Sequence, residues 1–404
     1  MKEVTGGCCA AKGFSAAGMH CGIRKNRDKK DLALIFADCD CSAAALYTTN
    51  RVKAAPIYVT MQNLERGVAR AIIANAGNAN ACAPGGEENA RRVCAAAAKE
   101  LGIREDEIII NSTGVIGVPL PVERIETAMP ALVKSLSRYG ADDAANSIMT
   151  TDTIQKQVAV QVQIGGKTVT VGGIAKGSGM IHPNMATMLS FLTTDCAITS
   201  DMLHAALSDS NRITYNRISV DGDTSTNDMV AILASGMAEN AQIEWKDTDY
   251  RIFLEALNYV NGTLARMIAR DGEGATRLVS CRVMGARDEA CAEKLAMSVI
   301  SSSLVKAAMF GADANWGRVL CAMGYSKAPF RPDGVDVKFA SGAGEVDVCK
   351  AGAGLDFDET LAKEILSQSE VTIIVDIHDG AFEAEAFGCD LTYDYVKING
   401  DYRT

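Results

Sequence analysis

The chain has 404 residues, of which 48% are hydrophobic and 22% charged, and its formal net charge is −10. This composition is typical of a globular protein with a large core, and the acidic balance argues against a nucleic-acid surface, which needs clustered Lys and Arg. The chain has thirteen scattered Cys without a Cys-x-x-Cys pair and four distant His, which argues against a zinc site. We see no apolar leader and no apolar run of membrane-spanning length, so we expect a cytoplasmic protein.

The first third of the chain is predicted to mix short strands with small-residue loops. Apolar runs predict buried strands at residues 33–37, 57–59 and 71–74. The third strand leads into an Asn-rich turn at residues 75–82, which has no bulky side chains and which we interpret as a tight loop held by Asn side chains. An Ala-rich, charged segment at residues 87–101 predicts a helix.

Another predicted strand, residues 108–110, runs into a turn that contains Thr113 and Gly114. A hydroxyl and a backbone N–H at such a turn can point together at a developing negative oxygen. The signal is weak by itself, because Ser-Thr-Gly turns are also common as plain loops. Pro121 then lies where a helix would begin, and apolar residues recur at helical spacing after it.

The clearest local pattern is a β-hairpin over residues 157–171. Apolar residues alternate strictly with polar or small ones on both sides of Gly165-Gly166, which is typical of a hairpin with a primed turn. The second strand leads into a glycine-broken loop, residues 172–179, which contains Lys176. We therefore expect a rigid sheet to hold that loop.

The prediction of function depends on residues 176–189, which read KGSGMIHPNMATML. Two glycines permit positive φ and Pro183 fixes its own φ, so the backbone before Thr187 is neither a regular helix nor a regular strand. Such a bend can bring the Ala186 carbonyl to the Thr187 hydroxyl, whose attack would cut the chain. Thr187 would then carry a free α-amine and form an N-terminal activated nucleophile. From composition alone, an ordinary loop before a buried element is the simpler interpretation.

The C-terminal half alternates predicted helices and strands, which indicates an α/β fold. Helices are predicted at residues 202–211, capped at Ser200, and at residues 250–269, and a buried strand is predicted at residues 371–377. An acidic, hydroxyl-rich turn at residues 220–228 lacks the EF-hand spacing, and we interpret it as structural support.

Glu273 lies between two glycines, where a ligand can reach its carboxylate. A solvated turn residue is the alternative interpretation of this position.

The segment from Lys176 to Leu189 closely resembles the processing segment of the ornithine acetyltransferase family, also called the glutamate N-acetyltransferases. The resemblance extends over essentially the whole chain. It implies self-cleavage between Ala186 and Thr187 into pieces of residues 1–186 and 187–404 that stay associated. It also implies an αββα-like layered sandwich with a C-terminal α/β region, and an α₂β₂ assembly.

The resemblance further implies which residues form the site. Thr187 would be the nucleophile, with Thr113 and Gly114 as the oxyanion hole. Thr150 and Thr151 stay open as alternatives to Thr153 for one of the implied substrate contacts. The implied substrate-binding residues are Thr153, Lys176, Thr187, Glu273, Asn399 and Thr404.

The implied reaction belongs to arginine biosynthesis and is ping-pong transfer of an acetyl group from N-acetylornithine to glutamate, through an acetyl ester on Thr187. No metal or other cofactor is expected, and acetyl-CoA stays open as a second acetyl donor because the motifs do not separate the bifunctional from the monofunctional version. Two alternatives remain. One is a related N-terminal-nucleophile aminopeptidase or amidase that gives the acyl group to water, and the other is a non-enzymatic small-molecule binding protein with an inert loop.

Overall fold

A computed structural model describes residues 1–182 and 188–400 of the chain, and the chain divides into two compact units. Unit 1 comprises Met1–Gly177, Pro183–Asn216 and Asp223–Leu264. Unit 2 comprises Ser178–His182, Arg217–Gly222 and Ala265–Thr404. Helices and strands alternate along both units, so the predicted α/β class is confirmed. None of the helices in these described ranges is long and apolar enough to span a membrane.

The elements are numbered in chain order. The strands are β1 (Lys2–Val4), β2 (Phe14–Met19), β3 (Leu32–Tyr47), β4 (Val68–Asn78), β5 (Ile108–Val115), β6 (Lys156–Ile164), β7 (Lys167–Lys176), β8 (Leu189–Thr194), β9 (Ile218–Ser219), β10 (Met229–Ala234), β11 (Leu278–Ala286), β12 (Asp336–Ser341), β13 (Gly344–Lys350), β14 (Ala353–Gly354), β15 (Glu370–Asp376) and β16 (Phe382–Cys389). The helices are α1 (Ala55–Asn63), α2 (Gly86–Leu101), α3 (Val122–Lys134), α4 (Ala141–Ile148), α5 (Ser200–Ile213), α6 (Thr248–Arg270), α7 (Glu289–Ile300), α8 (Ser303–Phe310), α9 (Trp316–Gly324), α10 (Glu359–Leu366) and α11 (Tyr393–Gly400).

Unit 1 is built on a mixed sheet in the order β1-β6-β7-β8-β10-β3-β4-β5, with β2 paired to β3. Alternate residues of a strand face opposite sides, and here both sides are buried. Ile73 packs with α2 and α3 on one side, whereas Ile72 shares the other side with Phe191 from β8. The cluster with Ile72 and Phe191 also contains Ala144 and Ile148 of α4, so strands and a helix share the core on this side of the sheet. This arrangement is the expected αββα-like layering, with α2 and α3 on the outside.

Unit 2 is the predicted C-terminal α/β region. Its sheet has the order β14-β13-β12-β15-β11-β16-β9, in which β11 and β15 run parallel. One face of this sheet carries a cluster of buried apolar residues from β11, β12 and β15, and apolar side chains of α7, α9 and α10 pack into the same cluster. The predicted strand at residues 371–377 is confirmed as β15.

The predicted hairpin is confirmed as β6 and β7. The two strands pair in unbroken antiparallel register from Lys156↔Ala175 to Ile164↔Lys167. Gly165 and Gly166 have φ values of 56° and 77°, and positive φ at both central residues is what a type I′ turn requires. The second strand brings the chain to Lys176, so the prediction of a loop over residues 172–179 is wrong for residues 172–176, which belong to β7.

Two predictions near helices α1 and α5 are also wrong. Residues 57–59 are not a strand but lie inside α1, because Pro56 pre-sets φ at the helix start and Ile57 and Thr60 bury one face of the helix. The cap of α5 is Thr199 rather than Ser200, since the Thr199 side chain accepts a hydrogen bond from the Met202 N–H. The helices predicted at residues 87–101 and 250–269 are confirmed as α2 and α6.

Candidate active site

Thr113 and Gly114 lie at the irregular end of two parallel strands, and not in a free turn as predicted. Gly114 of β5 is opposite Gly77 of β4, and the register shifts at Asn78. The φ of Gly114 is 134°, and a Cβ atom there would overlap the backbone of Gly77 and Asn78. Only glycine can therefore occupy this position. The backbone N–H that follows Thr113 thus belongs to a residue that has no side chain.

Asn side chains fix this corner of unit 1 from two directions. The Asn75 Nδ2 donates to the Asn78 carbonyl at 2.9 Å, but residues 75–78 are the end of β4, so the prediction of a turn over residues 75–82 is wrong for these four. The Asn227 Nδ2 donates to the carbonyls of Ala79 and Ser112, each at 2.7 Å. Asn227, near the end of the acidic turn at residues 220–228, thus ties β5 to the residue that follows β4, which fits the interpretation of the turn as structural support.

Lys176 reaches the same corner from β7. Its Nζ donates a hydrogen bond to the Thr113 Oγ1 at 3.4 Å, and the Lys176 residue is only 7% exposed. Lys176 is also opposite Leu189 in the pairing of β7 with β8. The structure therefore brings together two predicted site residues that are 63 positions apart, beside the strand that follows the predicted nucleophile. Ala186 and Thr187 themselves lie outside the described residues.

Asp152 is a site residue that the sequence analysis missed. Its Oδ1 accepts hydrogen bonds from the Lys156 Nζ and from the Gly177 backbone N–H, both at 2.7 Å. Burial alone would raise the pKa of the Asp152 carboxyl, but the ammonium groups of Lys176 and Lys156 outweigh it and hold that pKa well below its usual range. Asp152 is therefore a carboxylate, and its position between predicted substrate-binding threonines was the only signal in the sequence.

Asp228 is a second buried acid that was missed, and its environment has the opposite effect. Burial raises the pKa of the Asp228 carboxyl well above its usual value, although hydrogen bonding by Ser225 and the charge of Lys176 act in the other direction. Its Oδ2 is buried and has no hydrogen-bond partner among the described residues. The residue that follows it, Met229, donates its backbone N–H to the Met188 carbonyl at 3.0 Å.

Among the predicted threonines, Thr153 is exposed and Thr150 is half-buried. The Thr150 backbone N–H donates to the Asp152 Oδ2 at 2.9 Å. All three candidates, Thr150, Thr151 and Thr153, lie within two residues of Asp152 in the chain, and the assignment of a substrate contact to Thr153 stays a prediction.

Glu273 and Asn399 meet in unit 2. The Asn399 Nδ2 donates to the Glu273 Oε2 at 2.7 Å, and the Glu273 backbone N–H donates to the Ser178 carbonyl at 3.0 Å. Glu273 is only 6% exposed, so its alternative interpretation as a solvated turn residue is wrong. A Cβ atom at Gly179 would overlap the Glu273 carboxylate, so the glycine makes room for it. Thr404 lies outside the described residues.

The structure thus groups the described candidates by unit. Unit 1 carries Thr113, Gly114, Thr153 and Lys176, whereas unit 2 carries Glu273 and Asn399. Within residues 1–182 and 188–400, no three His, Cys, Asp or Glu side chains are arranged to hold a metal ion.

Comparison with known proteins identifies the family. The model of the ArgJ family matches residues 15–404. The chain belongs to the ArgJ family. A family member from Caldanaerobacter subterraneus subsp. tengcongensis, named arginine biosynthesis bifunctional protein ArgJ, is 51% identical to this chain over 97% of each protein. A relative of the same name from Symbiobacterium thermophilum is also 51% identical and covers 100% of both chains.

A solved family member supports the fold assignment. The crystal structure of the arginine biosynthesis bifunctional protein argJ from Bacillus halodurans is 46% identical and superimposes with a TM-score of 0.50. The match covers 53% of this chain and 99% of the solved chain. Membership in the ArgJ family confirms the predicted enzyme class, an acetyltransferase of arginine biosynthesis.

Proposed function

We propose that the chain cuts itself between Ala186 and Thr187 and then transfers an acetyl group from N-acetylornithine to glutamate through an ester on Thr187. The observation that carries this proposal is the contact between Lys176 and Thr113. It places a buried cation against the hydroxyl that the family resemblance assigns to the oxyanion hole. Both groups lie in unit 1, whose β8 begins two residues after Thr187.

The chemistry follows from these groups. The Thr187 hydroxyl attacks the acetyl carbonyl of N-acetylornithine, and the Thr187 α-amine takes the hydroxyl proton. The charge that develops on the carbonyl oxygen is met by the Thr113 hydroxyl and the Gly114 N–H, and mutational studies of such donors give about 3 kcal/mol for each one. The C–N bond then breaks, ornithine leaves with the returned proton on its amine, and the acetyl group remains on Thr187 as an ester.

The second half of the reaction reverses these steps with another amine. The amino group of glutamate attacks the ester carbonyl, the proton passes to the Thr187 oxygen, and N-acetylglutamate leaves. Lys176 suits a substrate carboxylate or the oxyanion, because an ammonium group can donate hydrogen bonds to either anion. Glu273 suits a substrate ammonium group, and Asn399 holds its carboxylate in one orientation. Thr153 and Thr404 complete the proposed set of substrate-binding residues.

The proposed cleavage is supported by the length of the solved relative. Residues 187–404 are 218 of the 404 residues, or about 54% of the chain. The Bacillus halodurans chain, matched over 99% of its length, covers 53% of this chain. A chain of that length is what the C-terminal piece of a cut family member would supply.

Three further parts of the proposal concern partners and location. The family relatives are named bifunctional, and we extend this to acetyl-CoA as a second acetyl donor to glutamate. We also infer that the two pieces assemble as α₂β₂ in the cytoplasm. Neither a metal nor another cofactor takes part in the steps above, which use only side chains, backbone N–H groups and the α-amine.

The test compares wild type with Thr187→Ala on a denaturing gel and in a transfer assay. We expect two bands of 186 and 218 residues for wild type, and one full-length, inactive chain for the variant. Thr127→Ala, in an exposed position on α3, is the matched control and should be cut and active. An active wild type that runs as a single full-length band would contradict the proposal. Release of acetate without transfer to glutamate would favour the amidase alternative.

A further inference from the structure

A buried ion pair lies beneath the point where Lys176 leaves the sheet. The Lys156 Nζ and the Asp152 Oδ1 are 2.7 Å apart, and both side chains are fully buried. The same carboxylate accepts a hydrogen bond from the Gly177 N–H at 2.7 Å and, through Oδ2, one from the Thr150 N–H at 2.9 Å. All of these residues belong to unit 1.

The pair connects two strands at the end of their pairing. Lys156 is the first residue of β6 and is opposite Ala175 of β7. Gly177 lies two residues after Ala175, just beyond the end of β7. Glycine has the greatest backbone freedom, so the Lys176–Gly177 peptide would be poorly fixed without an anchor. The charge-assisted bond from the Gly177 N–H to Asp152 supplies that anchor.

The pair also sets the local charge. Asp152 is close enough to Lys176 for their charges to interact strongly, as the depressed pKa of the Asp152 carboxyl shows. Because Lys156 bonds directly to Asp152, the pair is neutral as a unit. Without Lys156, Lys176 would be the remaining cation among the groups that lower the pKa of Asp152, and the carboxylate would attract it away from Thr113.

We propose that Asp152 and Lys156 are positioning residues of the acetyl-transfer site. They hold the Lys176–Gly177 peptide so that the Lys176 Nζ stays against the Thr113 Oγ1. This inference rests on the proposed function, since it assigns the pair to the same reaction. Neither residue acts on the substrate directly, because Lys156 is fully buried and Asp152 is occupied by three donors.

The experiment uses Lys156→Met and the neutral double variant Asp152→Asn/Lys156→Met in the full-length protein. Breaking one partner of a buried pair is strongly destabilising, whereas replacing both with neutral side chains of similar size is often tolerated. The double variant therefore gives a folded protein even if Lys156→Met does not fold. The exposed pair Lys246–Asp209, also in unit 1 and 2.8 Å apart, supplies the control Asp209→Asn/Lys246→Met.

Three quantities are measured well below the unfolding temperature. These are kcat and KM for acetyl transfer, and the amide hydrogen exchange of the peptide that contains Gly177. We expect kcat/KM to fall at least tenfold in Lys156→Met and at least fivefold in the double variant, with faster exchange in both and wild-type values in the control. A purely structural role predicts unchanged kcat/KM for each folded molecule.

The two proposals fail in different ways. A folded double variant with kcat/KM within twofold of the control and unchanged exchange would overturn the inference. Wild type without acetyl transfer would instead overturn the proposed function. In that case the exchange of the Gly177 peptide alone decides whether the pair anchors the Lys176 corner.

Discussion

Substituting Gly179 with Ala gives a sharp test of the role of Glu273. The added methyl group would overlap the end of the Glu273 side chain, which Asn399 holds by a hydrogen bond of 2.7 Å. The φ of Gly179 lies outside the left-handed region, so alanine fits the backbone without strain. The overlapped atoms belong to a flexible side chain. The carboxylate will therefore move, while the fold of unit 2 persists.

The size of the expected change in KM follows from the interactions that this movement of the Glu273 carboxylate would break. A hydrogen bond to a charged group contributes about 1.5–3 kcal/mol. If the displaced carboxylate loses Asn399 and its alignment with the substrate ammonium, one such contribution is lost. At about 1.4 kcal/mol for each factor of ten, this raises KM for N-acetylornithine by about 10- to 150-fold. Since the perturbed atoms belong to a binding group, the loss should appear mainly in KM and less in kcat.

The assay compares KM, kcat and the unfolding temperature of Gly179→Ala with those of wild type. Gly324→Ala is the matched control, because a Cβ atom at Gly324 meets nothing within 4 Å. We expect the control to behave as wild type and both variants to unfold within a few degrees of it. A Gly179→Ala protein with KM within twofold of wild type would refute a role of Glu273 in substrate binding.

Two further predictions concern unit 1. Replacing Lys176 with Met should lower kcat by about 100- to 1,000-fold, the loss typical of one oxyanion donor, and an unchanged kcat with only KM raised would show that Lys176 binds a substrate carboxylate instead. Asp228→Asn tests the raised pKa of the Asp228 carboxyl. Because an acid whose pKa is raised in the folded state binds its proton there more tightly, wild type should lose stability as pH rises above about 4, the unfolded value. Asn cannot ionise, so the stability of the variant relative to wild type should increase between pH 4.5 and pH 8 in urea unfolding; parallel curves would contradict this.

The elements that the sequence predicted correctly are those whose pattern is local. The alternation around Gly165-Gly166 specifies a hairpin by itself, and the apolar spacing of α6 specifies a long amphipathic helix. The run at residues 57–59 was ambiguous, because a short apolar segment fits a buried helix as well as a strand. There the preceding Pro56 was the stronger signal.

The site was predictable only where a motif could be matched. Thr113, Lys176, Glu273 and Asn399 were named from the family resemblance, and the structure brings them together in two pairs. Asp152 was missed because its importance depends on contacts that only the folded β6–β7 hairpin creates. The Gly177 N–H donates to the Asp152 carboxylate from just beyond the end of β7, and nothing in the local pattern predicts this contact.

The strand order of unit 1 has a consequence for the cut protein. Strands β8 and β10 come after Thr187 in the chain, yet they lie side by side between β7 and β3, which come before it. After cleavage, the C-terminal piece would still be hydrogen-bonded to the N-terminal piece on both sides, through the pairing of β8 with β7 and of β10 with β3. Dissociation would require breaking two rows of backbone hydrogen bonds in the middle of the sheet. The cut should therefore create a new N-terminus at Thr187 while the two pieces stay associated. Halves expressed separately should accordingly fail to fold alone and recover only when refolded together.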